Sequence, residues 1–443
     1  MPADFPLSPE DDDLKRREAA AAIARKWRNA PYPLTSPKLV EADAELATAI
    51  ASLRDHTGSS TRELAACLAT RGILLRDHGR SQEGLGYLVE AVALAGTWDN
   101  HDPAALDEEA DLWMNHGICL LNLGTPPHLK VALPSFERAI ALRLKLPLDD
   151  SRRYRWGLAG AFMNRADVLT RLEGPGAEAR AACDLAIAHL SALTTTPDFD
   201  LPQRLGLAWT QRGLVAETAE EAIRCFTSAT EVLASPANPR QALTRGHALL
   251  HRGIARLNRA GDPAAAAVDA VAVLESARAD EQVFPAVAEL ALHARHLLCR
   301  ALCHSLEEHG DSSAVTGDWI GDATDAIEEG LSLDRHWSSR GVISFRPLAC
   351  QLFVLGLRIY RVCQPHFLAG FILDTLDPAR APDVPPYGAD FLTAAALAIK
   401  QGLDDAVLRA AAATLNPERL QKELAILQAL RDADAQLALL QGG

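Results

Sequence analysis

Apolar residues recur every three to four positions through almost the whole chain, the spacing that lines one face of an α-helix. The alternation and the β-branched runs that strands require are missing. Ser59-Ser60-Thr61 precedes Glu63, Pro103 follows Asp102, and Pro263 follows Asp262; each arrangement suits a helix start. Gly79, Gly124, Gly261 and Gly310 follow apolar stretches, where a glycine commonly closes a helix. The predicted layout is helix, short turn, helix, repeated: an all-α chain.

One short pattern returns along this layout. Thr70-Arg71-Gly72, Asn115-His116-Gly117, Asn164-Arg165-Ala166, Gln211-Arg212-Gly213, His251-Arg252-Gly253 and Cys299-Arg300-Ala301 place a small residue after a basic one, at intervals of 45, 49, 47, 40 and 48 residues. Four residues before each small residue stands a large apolar one: Leu68, Trp113, Phe162, Trp209, Leu249 and Leu297. A second helix follows each, carrying small, large and small residues on one face, as in Gly84/Leu88/Ala91, Ala132/Phe136/Ala139, Ala179/Cys183/Ala186 and Ala222/Phe226/Ala229. Spacings of three and four share a helix face. A small residue at a crossing lets two backbones approach while a large one fills the neighbouring groove.

This unit resembles the tetratricopeptide repeat, with its Trp-x-x-Leu-Gly-x-x-Tyr, Ala-x-x-x-Phe and Pro consensus. The clearest copy is Trp113-Met-Asn-His-Gly117-Ile-Cys-Leu120 with Ala132-Leu-Pro-Ser-Phe136-Glu-Arg-Ala139, closing near Pro147. The first-helix Tyr is absent, the closing Pro is mostly missing, and the units are longer than the family's. The resemblance implies a right-handed α-solenoid of stacked antiparallel helix pairs, in six units over residues 59–335. Residues 1–58 are expected to cap the first unit, since the end of an array must hide its apolar face. After Asp334 the register is lost, and residues 336–443 are expected to form a C-terminal helical cap or tail module, with amphipathic helices over Phe391–Leu440.

A length of 443 residues would ordinarily suggest about two to four domains, but a repeat array grows by stacking. Ala and Leu, roughly a third of the residues, are good helix formers. The net charge is −14, which disfavours nucleic-acid binding. The N-terminus has neither a basic nor an apolar leader region. The most apolar stretch, around Pro347–Leu357, is too short to span a bilayer. The eight cysteines are scattered, with no Cys-x-x-Cys, and read as small buried hydrophobes in a reducing compartment. A cytoplasmic protein with no membrane partner is expected.

The basic series Arg71, His116, Arg165, Arg212, Arg252 and Arg300 suits either an anion-binding ladder or structural ion pairs with the next helix. The resemblance implies a ligand on the inner surface made by the first helices. Counted from each small residue, the inward positions include Ala69, Ile73, Arg76 and Asp77; Met114, Ile118, Leu121 and Asn122; Met163, Asp167 and Arg171; Leu214; and Leu250, Ile254, Leu257 and Asn258. Arg76, Met114, Ile118, Asn122, Met163, Arg171 and Asn258 are the candidate peptide-binding residues. The Lys/Asn set with which some family members clamp a C-terminal carboxylate is absent.

His296, Cys299 and Cys303 share a helix face but spread over about 10 Å along it, too far for one tetrahedral zinc; no metal and no cofactor are expected. Adjacent carboxylates at 108–109, 220–221, 307–308 and 328–329 do not converge on a helix. Gly84-Leu-Gly86 and Gly174-Pro-Gly176 lack the context of a phosphate loop, and no nucleophile-elbow or zinc-protease motif occurs. Gln364-Pro365-His366 is a polar cluster with no assigned role. The expected function is a non-enzymatic scaffold or adaptor that binds a peptide or partner protein, with no catalytic residues and an open oligomeric state. The alternatives are an α/α-toroid enzyme with a central pocket, disfavoured by 5% aromatic content, and a regulatory sensor of an apolar peptide or small ligand.

Overall fold

A computed structural model describes residues 9–30, 34–55, 61–98, 102–194, 199–309 and 317–364, with 366–368, 370, 371 and 375. The regular elements among the described residues are helices: α1 (Pro9–Arg28), α2 (Ser36–Arg54), α3 (Thr61–Asp77), α4 (Ser81–Ala95), α5 (Pro103–Leu123), α6 (Pro126–Arg143), α7 (Arg152–Glu173), α8 (Ala177–Ser191), α9 (Leu201–Leu214), α10 (Ala219–Val232), α11 (Pro239–Ala255, continued by a π turn Arg256–Ala260), α12 (Pro263–Ala277), α13 (Pro285–His309), α14 (Gly317–Ser338) and α15 (Arg346–Cys363). No described helix is long and apolar enough to cross a membrane.

The local signals act as the sequence suggests. Asp102 Oδ1 accepts from the Ala104 amide at 3.2 Å and Asp262 Oδ1 from the Ala265 amide at 2.9 Å, satisfying amides that a helix start leaves unpaired. Gly79, Gly124 and Gly261 end α3, α5 and the π turn at φ 78°, 67° and 65°, a left-handed conformation that glycine adopts without Cβ strain. Ser59, Ser60 and Gly310 lie outside the described residues.

The chain forms two compact units, Met1–Ala216 and Glu217–Gly443. In the first, α1 to α9 pack each on its successor, and α3, α5, α7 and α9 also touch in that order. In the second, α10 to α15 pack successively, and α11, α13 and α15 touch in order. Each unit is therefore a stack of tetratricopeptide-like antiparallel helix pairs, the α-solenoid arrangement. The boundary between the units falls inside the predicted fourth pair.

The repeated small residues sit where helices cross. A Cβ on Gly72 would lie 2.9 Å from the Gly84 carbonyl oxygen and 2.8 Å from Leu88 Cγ, and one on Gly84 would lie 2.5 Å from the Gly72 oxygen. The α3 and α4 backbones touch there because neither residue has a side chain. At Gly117 the space is filled by the Phe136 ring, 2.7 Å from where a Cβ would stand. Phe136 is fully buried, and its removal from water contributes about 1.5–3 kcal/mol.

The packing pattern extends to both sides of the repeats that the sequence spacing marks. In α2, Ala42, Leu46 and Ala49 are buried with the small-large-small spacing of a second helix. Trp27 and Ala24 of α1 join them in one core with Leu68 of α3. Ala323, Ile327 and Gly330 give α14 the second-helix face of the sixth unit; beyond Asp334, Leu352 and Gly356 give α15 the large-small pair of a first helix. A Cβ on Gly330 would meet Leu352 at 2.7 Å and one on Gly356 would meet Phe371 at 2.6 Å. The longer interval from Ala301 to Gly356 hid this unit. Phe391–Leu440 lies outside the described residues.

Candidate binding groove

The inner positions of first helices line a groove in the first unit, a cavity of about 690 Å³. Its floor is apolar: Ala24 of α1, Ala66, Ala69 and Ile73 of α3, and Leu112 of α5. Small residues predominate because α1 packs directly on α3, and their short side chains leave the depression open. Around the floor stand Arg25 and Arg28 of α1, Arg62 and Glu63 of α3, Glu108, Asp111 and Asn115 of α5, Arg153 of α7 and Trp98.

Several of these charges are already engaged. Arg153 lies 3.0 Å from Asp107 and 3.4 Å from Asp111, and Asp111 also accepts from Arg143. Burial, then the neighbouring Asp111, pushes the Asp107 carboxyl above its usual value. Glu63 is 3.7 Å from Arg17. The Arg62 guanidinium lies over the Trp98 ring at 5.5 Å, and the indole donates to Thr61 Oγ1 at 2.9 Å. Arg25 donates only to the Ala21 carbonyl of its own helix at 3.3 Å. Neither Arg25 nor Arg28 meets a carboxylate among the described residues. Farther along the first-helix face, Arg204 of α9 lies over Trp156 at 4.5 Å and fills the space beside Gly160. Burial, then Arg143, lowers the pKa of its guanidinium.

Ala69 and Ile73 line the groove as their inward positions suggest, whereas the seven candidate residues do not. Arg76 donates to Asp77 at 2.7 Å and to Asn115 Oδ1 at 3.1 Å. Met114 is buried and Ile118 half-buried in the α5–α8 core. Met163 packs into that core and into the next one, and Gln211 donates to its carbonyl at 2.8 Å. Arg171 pairs with Asp167 at 3.0 Å. Asn258, in the π turn, accepts from Arg300 at 2.7 Å, and Asn122 is exposed at the end of α5. On α3 the groove takes in Ala69 and Ile73 and extends one to two turns further toward the N-terminus, to Ala66, Glu63 and Arg62; on α5 it follows Glu108, Asp111, Leu112 and Asn115, before Ile118, Leu121 and Asn122. Arg62, Glu63 and Glu108 carried no signal in the repeat pattern; they became visible only once α1 was in place.

The basic series is made of local ties. Arg71 pairs with Asp43 at 2.7 Å and lies over Tyr87. Arg165 reaches Glu137 at 3.4 Å and Glu178 at 2.8 Å, Arg212 reaches Asp184 at 2.7 Å, and Arg252 reaches Asp269 at 2.7 Å. His116 bonds Ser135 at 3.0 Å. In the first unit these arginines bond chiefly back to the preceding second helix, where the sequence alone suggested the next one.

The other candidate chemistry is likewise absorbed into packing. Burial pushes the Cys67 and Cys119 thiols up to about 11 and Cys303 to about 12, so these sulfurs stay protonated and weakly nucleophilic. Cys299 donates to the Ala323 carbonyl at 3.5 Å. Among the described residues no group of three His, Cys, Asp or Glu side chains is placed to hold an ion. Glu108 faces the groove while Glu109 is buried against Arg138 at 2.9 Å. Glu328 accepts from Tyr360 at 3.0 Å while Glu329 accepts from Arg295 at 2.8 Å. Each pair thus points two ways. Gln364 lines a second cavity of about 630 Å³ with residues of α14 and α15 and with Phe367, Gly370, Phe371 and Thr375; His366 lies against Phe367 at 4.3 Å, and Pro365 is outside the described residues.

No protein-family model matches the chain, and no curated protein matches it. Among solved structures, the apo form of the quorum sensor NprR from B. thuringiensis is similar over 80% of this chain and 89% of its own, with 12% identity and a TM-score of 0.47. The signal transduction ATPase PH0952 from Pyrococcus horikoshii, which has a tetratricopeptide repeat sensor, is similar over 99% of this chain and 67% of its own, with 13% identity and a TM-score of 0.44. BtubC from P. vanneervenii is similar over 62% of this chain and 94% of its own, with 14% identity and a TM-score of 0.41. At that level of similarity the functions named for these proteins do not transfer to this chain.

Proposed function

We propose that the chain is a non-enzymatic binding protein that holds a peptide or a segment of a partner protein in the first-unit groove. The supporting observation is the groove itself: an apolar floor shared by α1, α3 and α5, with mixed charge around it. A cavity with apolar lining and a few polar groups around it is the usual form of a binding site. Successive helices contribute to one continuous strip, which suits an extended or helical segment. Of the carboxylates around the groove, Glu63 lies by Arg17 and Asp111 is taken by Arg143 and Arg153, and burial raises the nearby Cys67 and Cys119 thiols to about 11, which favours binding over catalysis there.

The test is a peptide array probed with the full-length chain, followed by thermal melting with the peptides retained. A ligand that binds only the folded state raises the melting temperature. Ile73→Glu, on the groove floor, should abolish retention, whereas Leu207→Glu, at an exposed leucine of α9, should leave it unchanged. Retention that survives Ile73→Glu would move the binding site elsewhere.

A further inference from the structure

We infer that the first-unit groove selects an acidic peptide segment, with carboxylates taken by Arg25 and Arg28 and an apolar side chain seated on Ala66, Ala69 and Ile73. This rests on the proposed binding role and adds the chemistry of the occupant.

The argument begins from charge. The chain is strongly acidic at −14, and among the described residues many arginines pair with carboxylates, as Arg71, Arg165 and Arg212 do. Around the groove Arg153 is held by Asp107 and Asp111, and Arg17 takes Glu63. Arg25 and Arg28 have no such partner among the described residues, although both border the cavity. They stand three residues apart on α1, hence on one side of that helix and beside one another. Guanidinium groups bind carboxylates through paired, charge-assisted hydrogen bonds. The floor immediately beside them is made of alanines and Ile73, which gives an apolar side chain a surface to cover while the arginines fix its neighbours.

The far side of the groove decides between ligand classes. Glu63, Glu108 and Asp111 stand on α3 and α5. A nucleic acid carries one charge per phosphate along its whole length and would meet these carboxylates as well as the arginines. A peptide can place its carboxylates against α1 alone and leave neutral or basic residues facing α5. Arg62, stacked on Trp98, borders the same cavity and presents a flat cationic surface over which a peptide backbone can lie.

The experiment uses the full-length chain and fluorescein-labelled twelve-residue peptides of constant leucine and isoleucine content, in randomised order, in three pools: glutamate-rich, glutamine-rich and lysine-rich. A single-stranded oligonucleotide of equal length serves as competitor. The glutamate pool should bind most tightly, and its binding should weaken as salt rises. Arg25→Glu with Arg28→Glu should weaken that pool about tenfold or more, the scale of losing charge-assisted contacts, and should change the glutamine pool by less than about twofold. Both arginines are exposed, so the variant should fold, which circular dichroism checks. The milder Arg25→Gln with Arg28→Gln should give an intermediate loss, and Arg152→Glu, exposed on α7, should give none. Equal binding of all three pools would overturn the acidic preference and leave the groove reading standing. A glutamate preference untouched by the α1 variants would also overturn it, as would displacement by the oligonucleotide. Absence of binding by every pool would overturn both readings.

Discussion

The α3–α4 crossing and the α13–α15 region solve the same packing problem in opposite ways. At Gly72 and Gly84 two backbones touch, with only Leu88 beside them, and no long side chain can enter. Near Gly330 the helices stand far enough apart to admit Arg295, whose Cδ lies 3.3 Å from where a Cβ on Gly330 would stand. Arg295 is only 3% exposed and is held by Glu281 at 2.7 Å and Glu329 at 2.8 Å. A second buried set joins Arg346 to Asp334 and Ser338, both at 2.8 Å. Close backbone contact leaves no buried polar group to satisfy; a wider crossing that swallows an arginine must supply its counter-charges. The first solution is vulnerable to added volume, the second to removed charge.

The largest effect is expected from breaking the second solution. Arg295→Met keeps much of the apolar stem but strands Glu281, and should cost about 3–5 kcal/mol, read as a lower urea midpoint. Adding Glu281→Gln should recover part of that loss; no recovery would mean the arginine acts by packing alone. Next comes the first solution. Gly84→Ala forces a methyl against a backbone oxygen and should cost about 1–3 kcal/mol. Gly86→Ala, on the same helix with nothing within 4 Å, should be stabilising by up to about 1 kcal/mol through helix propensity. If the two glycines respond alike, the crossing is not close-packed.

Acid sharpens the contrast within the second unit. Burial, then His247 and His293, holds His251 down at about 4; burial, then Arg300 and His293, does the same to His296. Both lie below the ordinary histidine value of 6.5, so between about 6.5 and 4 the unfolded chain binds more protons than the folded one. Stability is fully present above 6.5 and falls as pH drops through that window. Urea midpoints at pH 7 and 4.5 should show the fall, and His251→Gln with His296→Gln should flatten it. The smallest effect belongs to the outer ties. Arg71→Ala removes a partly exposed pair with Asp43 and should cost no more than about 1 kcal/mol in a melting curve.

The sequence alone determined the parts of this protein that depend on neighbours along the chain. Asp102, Asp262, Gly79 and Gly124 mark helix ends through bonds spanning a few residues, and Gly72/Gly84 and Gly117/Phe136 mark crossings between consecutive helices. These interactions are local, so residue type and spacing specify them. The seventh first helix at Gly356 escaped because a longer interval broke the period, although its packing chemistry is the same. What only the tertiary structure decided is which inner positions stay open. Met114 and Met163 are consumed by cores, Arg76, Arg171 and Asn258 by side-chain partners, and the cavity keeps Ala69 and Ile73 but extends one to two turns earlier along α3, where α1 rests on it. That outcome depends on how close helices stand when they are far apart in sequence, a distance set by the packing of their combined side chains and carried by no single repeat.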